Sequence, residues 1–307
     1  VARADIKVAT SPYGPDDQRG ALNKMTPASQ AAIMSRADAS RVYDLSIDYF
    51  VGMPSFQAAG DPAYQIFMSH TPQGTVVDNL NGVGKEVNQR VCYSGDVVFM
   101  YTHTGTHIDS LNHFGVDGKI YNNFTPEENL GSRHWTKGGA EQIPPIVARG
   151  VLLDIAALKG VECLPPSYAI TIEDCQAELE RTGLALGEGD VALVRTGRMR
   201  YWPDGSKTLG DPPGLSLEAA RWITSQGIIA IGADQECVEV GPSHHEDNWL
   251  PGHCHFLAEA GVPMIELANL EELAADGVNE FCLIAAPIRL RGASGAPLRP
   301  LAMALTK

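Results

Sequence analysis

Residues 101–114 read YTHTGTHIDSLNHF and hold a dense group of titratable side chains. His103, His107 and His113 lie there with Asp109, although the whole chain of 307 residues contains only nine histidines. The preceding run at residues 97–102, VVFMYT, is rich in apolar and β-branched residues and predicts a strand that leads into the group. The segment therefore predicts that four side chains able to bind a proton or a metal lie close together.

The spacing of His103 and His107 admits two geometries. Residues four apart lie on one face of a helix, which is the spacing of helical zinc ligands. Gly105 and the β-branched Thr104 and Thr106 disfavour a helix, whereas a turn at Gly105 would fold His107 back beside His103. The sequence therefore predicts a turn.

Asp109 would then share a face with His107, because alternate residues of an extended stretch point the same way. Two imidazoles and one carboxylate suit zinc, or manganese and iron where coordination positions stay open. The set needs no thiolate, which favours an open catalytic site over a closed structural zinc site. His113 remains as a titratable group nearby, and the ordinary histidine pKa of about 6.5 suits general acid–base work. The alternative is a polar loop whose histidines only form hydrogen bonds.

A second group of candidate ligands lies at residues 251–255, PGHCH, and Glu266 follows at the end of an apolar run. His253 and His255 would point the same way in an extended segment, whereas only one would point inward at the start of a helix. Both His253 and His255 are therefore candidates, either as a metal ligand or as a residue that supports a ligand.

The composition excludes several classes of protein. Apolar residues make up 44% of the chain, so a folded core is expected rather than general disorder. The formal charge of −14 argues against binding of nucleic acid or an anionic membrane, and no apolar stretch approaches the roughly 18 residues of a membrane span. The six cysteines are scattered without CxxC spacing, and the first residues show no signal-peptide pattern, so a cytoplasmic protein is expected.

The second half of the chain alternates between strand and helix signals. Strands are predicted at residues 151–155, 191–195, 228–231, 262–266 and 281–289, and helices at 171–182, 216–225 and 254–259. The first half predicts short strands and loops, with a loop-rich region at residues 64–88. The chain is therefore predicted to be an α/β protein, with an N-terminal extension at residues 1–39 and one domain at residues 40–307.

The pattern HxGTHxDxxxHF at residues 103–114 resembles the signature of the metal-dependent cyclase-like hydrolase family, which includes bacterial kynurenine formamidases and isatin hydrolases. Further matches are DDQRGALN at 16–23 with TP at 26–27, YDLS at 43–46, MP at 53–54, and the C-terminal motif from residue 251 to LEEL at 270–273. One departure is Leu111, where many members have Pro. The resemblance implies a swivelling β/β/α domain that forms dimers or tetramers.

The resemblance also implies roles for individual residues. The positions that match metal ligands are His103, His107 and Asp109. His113 matches the catalytic acid–base. In the formamidases a His and a Glu of the C-terminal motif complete a two-zinc site; Glu266 matches that Glu, and His253 is preferred over His255 for its Pro-Gly-His context. Isatin hydrolases are similar but carry a single manganese, so the expected cofactor is one or two Mn²⁺ or Zn²⁺ ions.

The expected activity is hydrolysis of a cyclic amide, such as isatin or a related lactam or imide, because the N-terminal motif and the length match the longer, isatin-hydrolase-like members. The alternative substrates are an aryl formamide such as N-formylkynurenine and a lactone such as a dienelactone. Four side chains would form an apolar wall for a flat ring unless they belong to the ordinary core: Phe50, Met53, Phe56 and Trp249. A catalytically silent metal-binding protein is disfavoured because the signature is complete, and a nucleotide-dependent oxidoreductase because no GxGxxG follows a strand.

Overall fold

The computed structural model describes residues 3–306. The strands are β1 (Ala37–Asp44), β2 (Gln65–His70), β3 (Gly95–Phe99), β4 (His107–Asp109), β5 (Ile146–Asp154), β6 (Ala169–Ile170), β7 (Val191–Arg195), β8 (Gly214–Leu215), β9 (Ala230–Ala233), β10 (Met264–Glu266), β11 (Glu280–Ala285), β12 (Gly295–Pro297) and β13 (Leu301–Leu305). The helices are α1 (Pro27–Met34), α2 (Pro72–Val77), α3 (Lys85–Asn88), α4 (Pro126–Asn129), α5 (Ile155–Leu158), α6 (Ile172–Thr182), α7 (Gly205–Thr208), α8 (Leu217–Ser225), α9 (Pro251–His253) and α10 (Glu271–Ala275). A π-helical turn (Cys254–Glu259) continues α9, and 3-10 turns lie at Gly20–Lys24, Gln57–Ala59, Leu80–Gly82, Tyr121–Asn123, Ala140–Gln142 and Arg198–Tyr201. Among residues 3–306, no helix combines the length and the hydropathy that crossing a membrane requires.

A nine-stranded mixed sheet runs through the centre, in the order β1-β13-β11-β5-β7-β9-β10-β4-β12. Strands β5, β7, β9 and β10 are parallel to one another, and antiparallel strands continue the sheet at both ends. Two further pairs, β2 with β3 and β6 with β8, form separate small sheets. The alternation of strand and helix signals in the second half of the sequence thus corresponds to the parallel centre of this sheet.

Apolar layers cover both faces of the parallel strands. In β5, Val151 and Leu153 belong to the layer that contains the buried faces of α6 and α8. Leu152, between them, belongs to the opposite layer together with Leu273 of α10 and Phe281 of β11. Strands that are buried on both faces have continuous apolar sequences rather than alternating ones, which is why these runs were recognisable in the sequence.

The two longest helices, α6 and α8, correspond to the helices predicted at residues 171–182 and 216–225, and polar side chains cap both. The Thr171 hydroxyl accepts a hydrogen bond from the Asp174 backbone N–H, and the Asp174 carboxylate accepts one from the Thr171 N–H, which forms a capping box at α6. Gly183 ends α6 in the left-handed conformation, with φ of +70°. The Ser216 hydroxyl accepts from the Ala219 N–H and starts α8.

One end of the sheet places the histidine segment. Strand β4 lies between β10 and β12, so His107 pairs with Glu266 on one side and Asp109 pairs with Gly295 on the other. Since β10 also pairs with β9, β4 is joined through β10 to the parallel centre of the sheet. The two motifs that are far apart in the sequence therefore meet in adjacent strands.

The N-terminal residues pack against the rest of the chain. The Ala9 N–H donates to the Ala258 carbonyl, the Ala21 N–H donates to the Gly261 carbonyl, and Leu22 is buried in the core. The predicted boundary between residues 39 and 40 falls inside β1, which pairs with β13. The division into an extension and one domain stays a prediction.

Several predicted elements differ from those observed. Residues 64–88 are not mainly loop, because they contain β2, α2 and α3; Pro72 starts α2 and Gly84 precedes α3, so these residues mark element ends. The strand predicted at 281–289 stops at Ala285, shortly before Pro287, which has no backbone N–H to donate. The strand predicted at 97–102 is β3, which ends at Phe99 before the turn that carries the histidines.

Residues 65–99, which we call the arm, contain β2, α2, α3 and β3. Strands β2 and β3 pair only with each other among the described strands. The apolar side chains of the arm that are exposed are Ile66, Phe67, Met68, Val77, Val83, Val87, Val91, Tyr93, Val97, Val98 and Phe99. A two-stranded sheet is marginally stable by itself, and an apolar surface of this extent is unusual for a monomer.

Candidate metal centre

The turn at Gly105 brings the first two histidines together. Gly105 has φ of +65°, and a Cβ there would lie 2.8 Å from Cζ of Tyr49, so only glycine fits. The turn places the rings of His103 and His107 at a centroid distance of 5.1 Å and nearly perpendicular. The prediction of a turn rather than a helix is confirmed by this geometry.

Asp109 and Glu266 face these histidines from β4 and β10. Nδ1 of His103 lies 2.6 Å from Oδ1 of Asp109, and Nε2 of His107 lies 3.3 Å from the same oxygen. Nε2 of His107 also lies 3.5 Å from Oε2 of Glu266. All four side chains are buried, so their polar atoms have little access to bulk water.

His253, rather than His255, joins the group. Nε2 of His253 lies 3.4 Å from Oε1 of Glu266 and 3.7 Å from Oδ2 of Asp109. His255 turns away, toward the Thr224 hydroxyl at 2.9 Å and the Glu259 carboxylate at 2.7 Å. Because α9 continues into the π-helical turn, residues two apart point to different sides, and only one of the two histidines reaches the group.

Three atoms at the centre of this group have no hydrogen-bond partner among residues 3–306. They are Nε2 of His107, Oδ2 of Asp109 and Oε1 of Glu266, and all three are buried. Buried polar atoms are almost always paired, so unpaired imidazole and carboxylate atoms that face one another indicate a position for a cation. The ligand atoms of His107, Asp109 and Glu266 lie within 4.8 Å of one another. The residues present therefore fit a divalent metal ion.

Outer hydrogen bonds fix two of the imidazole rings. Nδ1 of His107 lies 2.7 Å from the Gly105 carbonyl oxygen, which can only accept, so Nε2 is left free toward the carboxylates. Nε2 of His103 lies 2.8 Å from the Ser294 hydroxyl, and its Nδ1 faces Asp109. Each ring thus uses one nitrogen as an anchor and turns the other to the centre.

His113 stacks on this group at its more open side. Its ring lies 3.8 Å from that of His103 with an interplanar angle of 23°, and Nε2 lies 4.0 Å from Oδ2 of Asp109. Burial lowers the pKa of His113 well below its ordinary value, and the neighbouring histidines add to this, while the charge of Asp109 opposes it. The imidazole of His113 is therefore neutral at neutral pH.

Aromatic side chains border the group. The Phe114 ring lies 4.7 Å from that of His113, 4.8 Å from that of His253 and 5.5 Å from that of Trp249, which is 75% exposed. Tyr101 lies 4.9 Å from His103. Phe114 and Tyr101 were not among the residues predicted for a substrate wall, although both flank the histidine motif directly.

The four residues predicted for that wall differ in their position relative to the group. Trp249 borders the group through Phe114, and Met53 is buried next to the turn at Gly105. Phe50 is half-buried and Phe56 is 36% exposed; within residues 3–306 neither ring makes an aromatic contact with the histidines. A role in substrate binding stays a prediction for all four.

Comparison with known proteins places the chain in a family. Residues 43–240 match the model of the Cyclase family, described as "Putative cyclase". The chain belongs to this family. A crystal structure described as that of a novel cyclase superposes with a TM-score of 0.83 at 30% sequence identity, covering 95% of this chain and 97% of that one. The predicted fold class, a cyclase-like α/β domain, is thereby confirmed.

Two relatives of this cyclase-family chain are named for hydrolytic activities. Isatin hydrolase of Roseibium aggregatum is 24% identical over 208 residues, which cover 66% of this chain and 71% of that protein. Kynurenine formamidase of Bacillus thuringiensis is 28% identical over 204 residues, which cover 65% of this chain and 75% of that protein. The family therefore includes hydrolases, among them isatin hydrolase and kynurenine formamidase.

Proposed function

We propose that the protein is a metal-dependent hydrolase that opens a cyclic amide, such as an isatin-like lactam or imide. The observation that supports this most strongly is the buried group of unpaired ligand atoms on His107, Asp109 and Glu266, with His113 beside it. The ligand atoms would hold a cation, and His113 would exchange a proton. Metal-assisted hydrolysis requires both functions.

Five side chains would hold one or two Mn²⁺ or Zn²⁺ ions. They are His103, His107, Asp109, His253 and Glu266. When bound, such an ion lowers the pKa of a water molecule and polarises a carbonyl group. The nitrogen and oxygen donors suit both metals, and the absence of a thiolate ligand in the set matches a catalytic rather than a structural role.

His113 supplies the proton transfer in this proposal. Its neutral imidazole accepts a proton from water as the water oxygen attacks the carbonyl carbon of the substrate. When the carbon–nitrogen bond breaks, His113 returns the proton to the leaving nitrogen, which becomes an amine in a lactam and an amide in an imide. The carboxylic acid formed on the same opened molecule ionises to a carboxylate by releasing its proton to solvent. Asp109, 4.0 Å from Nε2 of His113, stabilises the imidazolium that forms in between.

A flat, apolar substrate is supported by the aromatic border. Phe114 and Trp249 offer ring faces beside His113, and we propose that Phe50, Met53 and Phe56 extend this wall when substrate is bound. Similarity to isatin hydrolase supports a lactam, and similarity to kynurenine formamidase supports an aryl formamide as the second candidate. A lactone of the dienelactone type is the third candidate, because the same steps cleave an ester.

Assays of the purified protein with isatin, N-formylkynurenine and a dienelactone distinguish these candidates. Each substrate is tested with added Mn²⁺ and with added Zn²⁺. The expected result is the highest kcat/KM for isatin. A preference for N-formylkynurenine or for the lactone would move the function to that candidate, and a protein that binds metal but cleaves none of the three would support a silent metal-binding protein instead.

We also propose that the protein is a homo-oligomer, either a dimer or a tetramer. The exposed apolar side chains on both strands of the arm support this, because a second copy would remove them from water. The partner of the site itself is a small molecule; neither nucleic acid nor a membrane is proposed. The six cysteines are all free thiols, which is compatible with a reducing cytoplasm.

A further inference from the structure

We propose that Glu239 is a positioning residue that fixes the ring of His253 and directs its Nε2 to the metal centre. This inference rests on the proposed metal-dependent function. Glu239 lies outside both sequence motifs, and it makes no contact with substrate or with the reacting atoms in the mechanism above. Its effect is exerted through His253.

Both carboxylate oxygens of Glu239 contact His253. Oε1 accepts a hydrogen bond from the backbone N–H of His253 at 2.8 Å, and Oε2 lies 2.7 Å from Nδ1 of its ring. The carboxylate can only accept, so the Nδ1 proton points at Glu239 and Nε2 faces Asp109 and Glu266. Glu239 is 2% exposed, so water does not compete for either contact.

The chain around Glu239 holds the carboxylate in place. The backbone of Glu239 pairs with that of Leu215 in β8, through hydrogen bonds on either side of it. On the other side Gly252 makes room for the side chain, because a Cβ at residue 252 would lie 2.6 Å from Cβ and 2.7 Å from Cδ of Glu239. Because residue 252 is glycine, the carboxylate of Glu239 can reach both the backbone N–H and the ring of His253.

Glu239 differs in charge from the anchors of the other two rings. His107 is anchored by the Gly105 carbonyl and His103 by the Ser294 hydroxyl, both neutral groups. A carboxylate partner makes an imidazole a stronger ligand, and loss of such an outer partner typically costs about 10–100-fold in metal affinity. His253 also comes from a different segment than the HxGTHxD motif, and Glu239 holds both its backbone N–H and its Nδ1, while Phe114 packs against its ring at 4.8 Å.

The test is the Zn²⁺ affinity of Glu239→Gln, measured by competition with a chelator. An amide can accept only one of the two hydrogen bonds and presents a donor at the other position, so the ring loses its anchor or takes the wrong tautomer. The expected result is a loss of about 10–100-fold in Zn²⁺ affinity. Gly252→Ala should act in the same direction, since it displaces the carboxylate without removing its charge.

The chain offers a matched control at His255. Its Nδ1 lies 2.7 Å from Oε2 of Glu259, the same kind of pair at a histidine outside the centre. Glu259→Gln should leave Zn²⁺ affinity unchanged. A folded Glu239→Gln protein with native Zn²⁺ affinity, or an equal loss in Glu259→Gln, would overturn the positioning role.

A second measurement separates this inference from the proposed function. The Nδ1 proton of His253, held in a short hydrogen bond to a carboxylate, is expected as a downfield resonance in the NMR spectrum of histidine-labelled protein and should vanish in Glu239→Gln. Native protein that binds no Zn²⁺ would contradict the proposed function even if this resonance is present. Absence of the resonance in native protein that binds Zn²⁺ would contradict the positioning role alone.

Discussion

Single residues of the centre differ in which nitrogen they turn inward. His103 presents Nδ1, whereas His107 and His253 present Nε2, and in each case an outer partner holds the other nitrogen. Among the described residues of the group, none anchors His113 in this way, and its Nε2 lies 4.0 Å from Oδ2 of Asp109. The ligand atoms of His103, Asp109 and His113 also lie within 4.8 Å of one another, so the missing anchor is the observation that supports proton transfer by His113.

Replacement of His113 tests that assignment. His113→Ala should keep its metal content and lose about 10²–10⁴-fold in kcat, because the loss removes a general acid–base and not a ligand. Metal content is measured by elemental analysis and kcat with the preferred substrate. Intact turnover would remove His113 from the mechanism, and loss of metal would make it a ligand. His134→Ala, at an exposed histidine, is the control.

Glu236 predicts a pH dependence of stability. Burial raises the pKa of Glu236 to about 7; Arg198 opposes this shift and Glu266 adds to it. Its Oε2 has no hydrogen-bond partner in the described part of the chain. A carboxyl group whose pKa is raised in the folded state costs stability once it ionises, so the cost is absent below about pH 4 and complete above about pH 7. The Gly210 N–H bond to Oε1 can persist in an amide.

Glu236→Gln should therefore raise the free energy of unfolding by about 2–3 kcal/mol at pH 8 and change it little at pH 4. Urea denaturation of the metal-free protein at both pH values measures this. The exposed Glu180→Gln serves as control and should show no pH-dependent gain. Equal effects of Glu236→Gln at both pH values would contradict a raised pKa.

Local sequence rules predicted the elements that local interactions determine. The turn at Gly105 and the positions of helices α6 and α8 follow from residue type and spacing. Local rules could not decide between His253 and His255, because that choice depends on the helical path of residues 251–259. Ser294 and Glu239 gave no signal, since only strand pairing and tertiary packing bring them to the histidines.

Strand β12 limits the space beside the His103 ring in the metal centre. Gly295 pairs with Asp109, and a Cβ at residue 295 would lie 2.6 Å from Cε1 of the His103 ring. Gly295→Ala should therefore displace this ring and lower Zn²⁺ affinity about tenfold or more, by the same reasoning that applies to loss of an outer partner. Zn²⁺ competition with a chelator measures the effect.

Gly187→Ala is the control for that experiment. Gly187 has an ordinary φ, and a Cβ there would meet only Oδ2 of Asp190 at 3.7 Å, which is normal contact. Its Zn²⁺ affinity should equal that of the native protein. Native affinity in Gly295→Ala as well would show that the ring has room to move.

At the scale of the whole molecule, the arm is the feature whose structure the sequence analysis did not predict. Its Gly and Pro residues predicted a loop. In the structure they lie at the ends of short helices and strands whose apolar side chains are exposed. If this surface contacts a second copy, Phe67→Ser combined with Phe99→Ser should convert the oligomer to a monomer. Sedimentation velocity measures the change.

Val161→Ser, at an exposed apolar residue outside the arm, should leave the oligomer intact. A native protein that sediments as a monomer at micromolar concentration would contradict the proposed oligomer. An oligomer that survives both arm substitutions would place its interface elsewhere on the molecule.

Metal content and its link to activity test the central claim most directly. The purified protein is analysed for bound metal, then assayed on isatin and N-formylkynurenine as isolated, after chelation and after Mn²⁺ or Zn²⁺ is restored. We predict one or two divalent ions per chain, loss of hydrolysis on chelation and recovery on restoration. A protein that binds no divalent metal, or that hydrolyses either substrate equally well after chelation, would contradict a metal-dependent hydrolase.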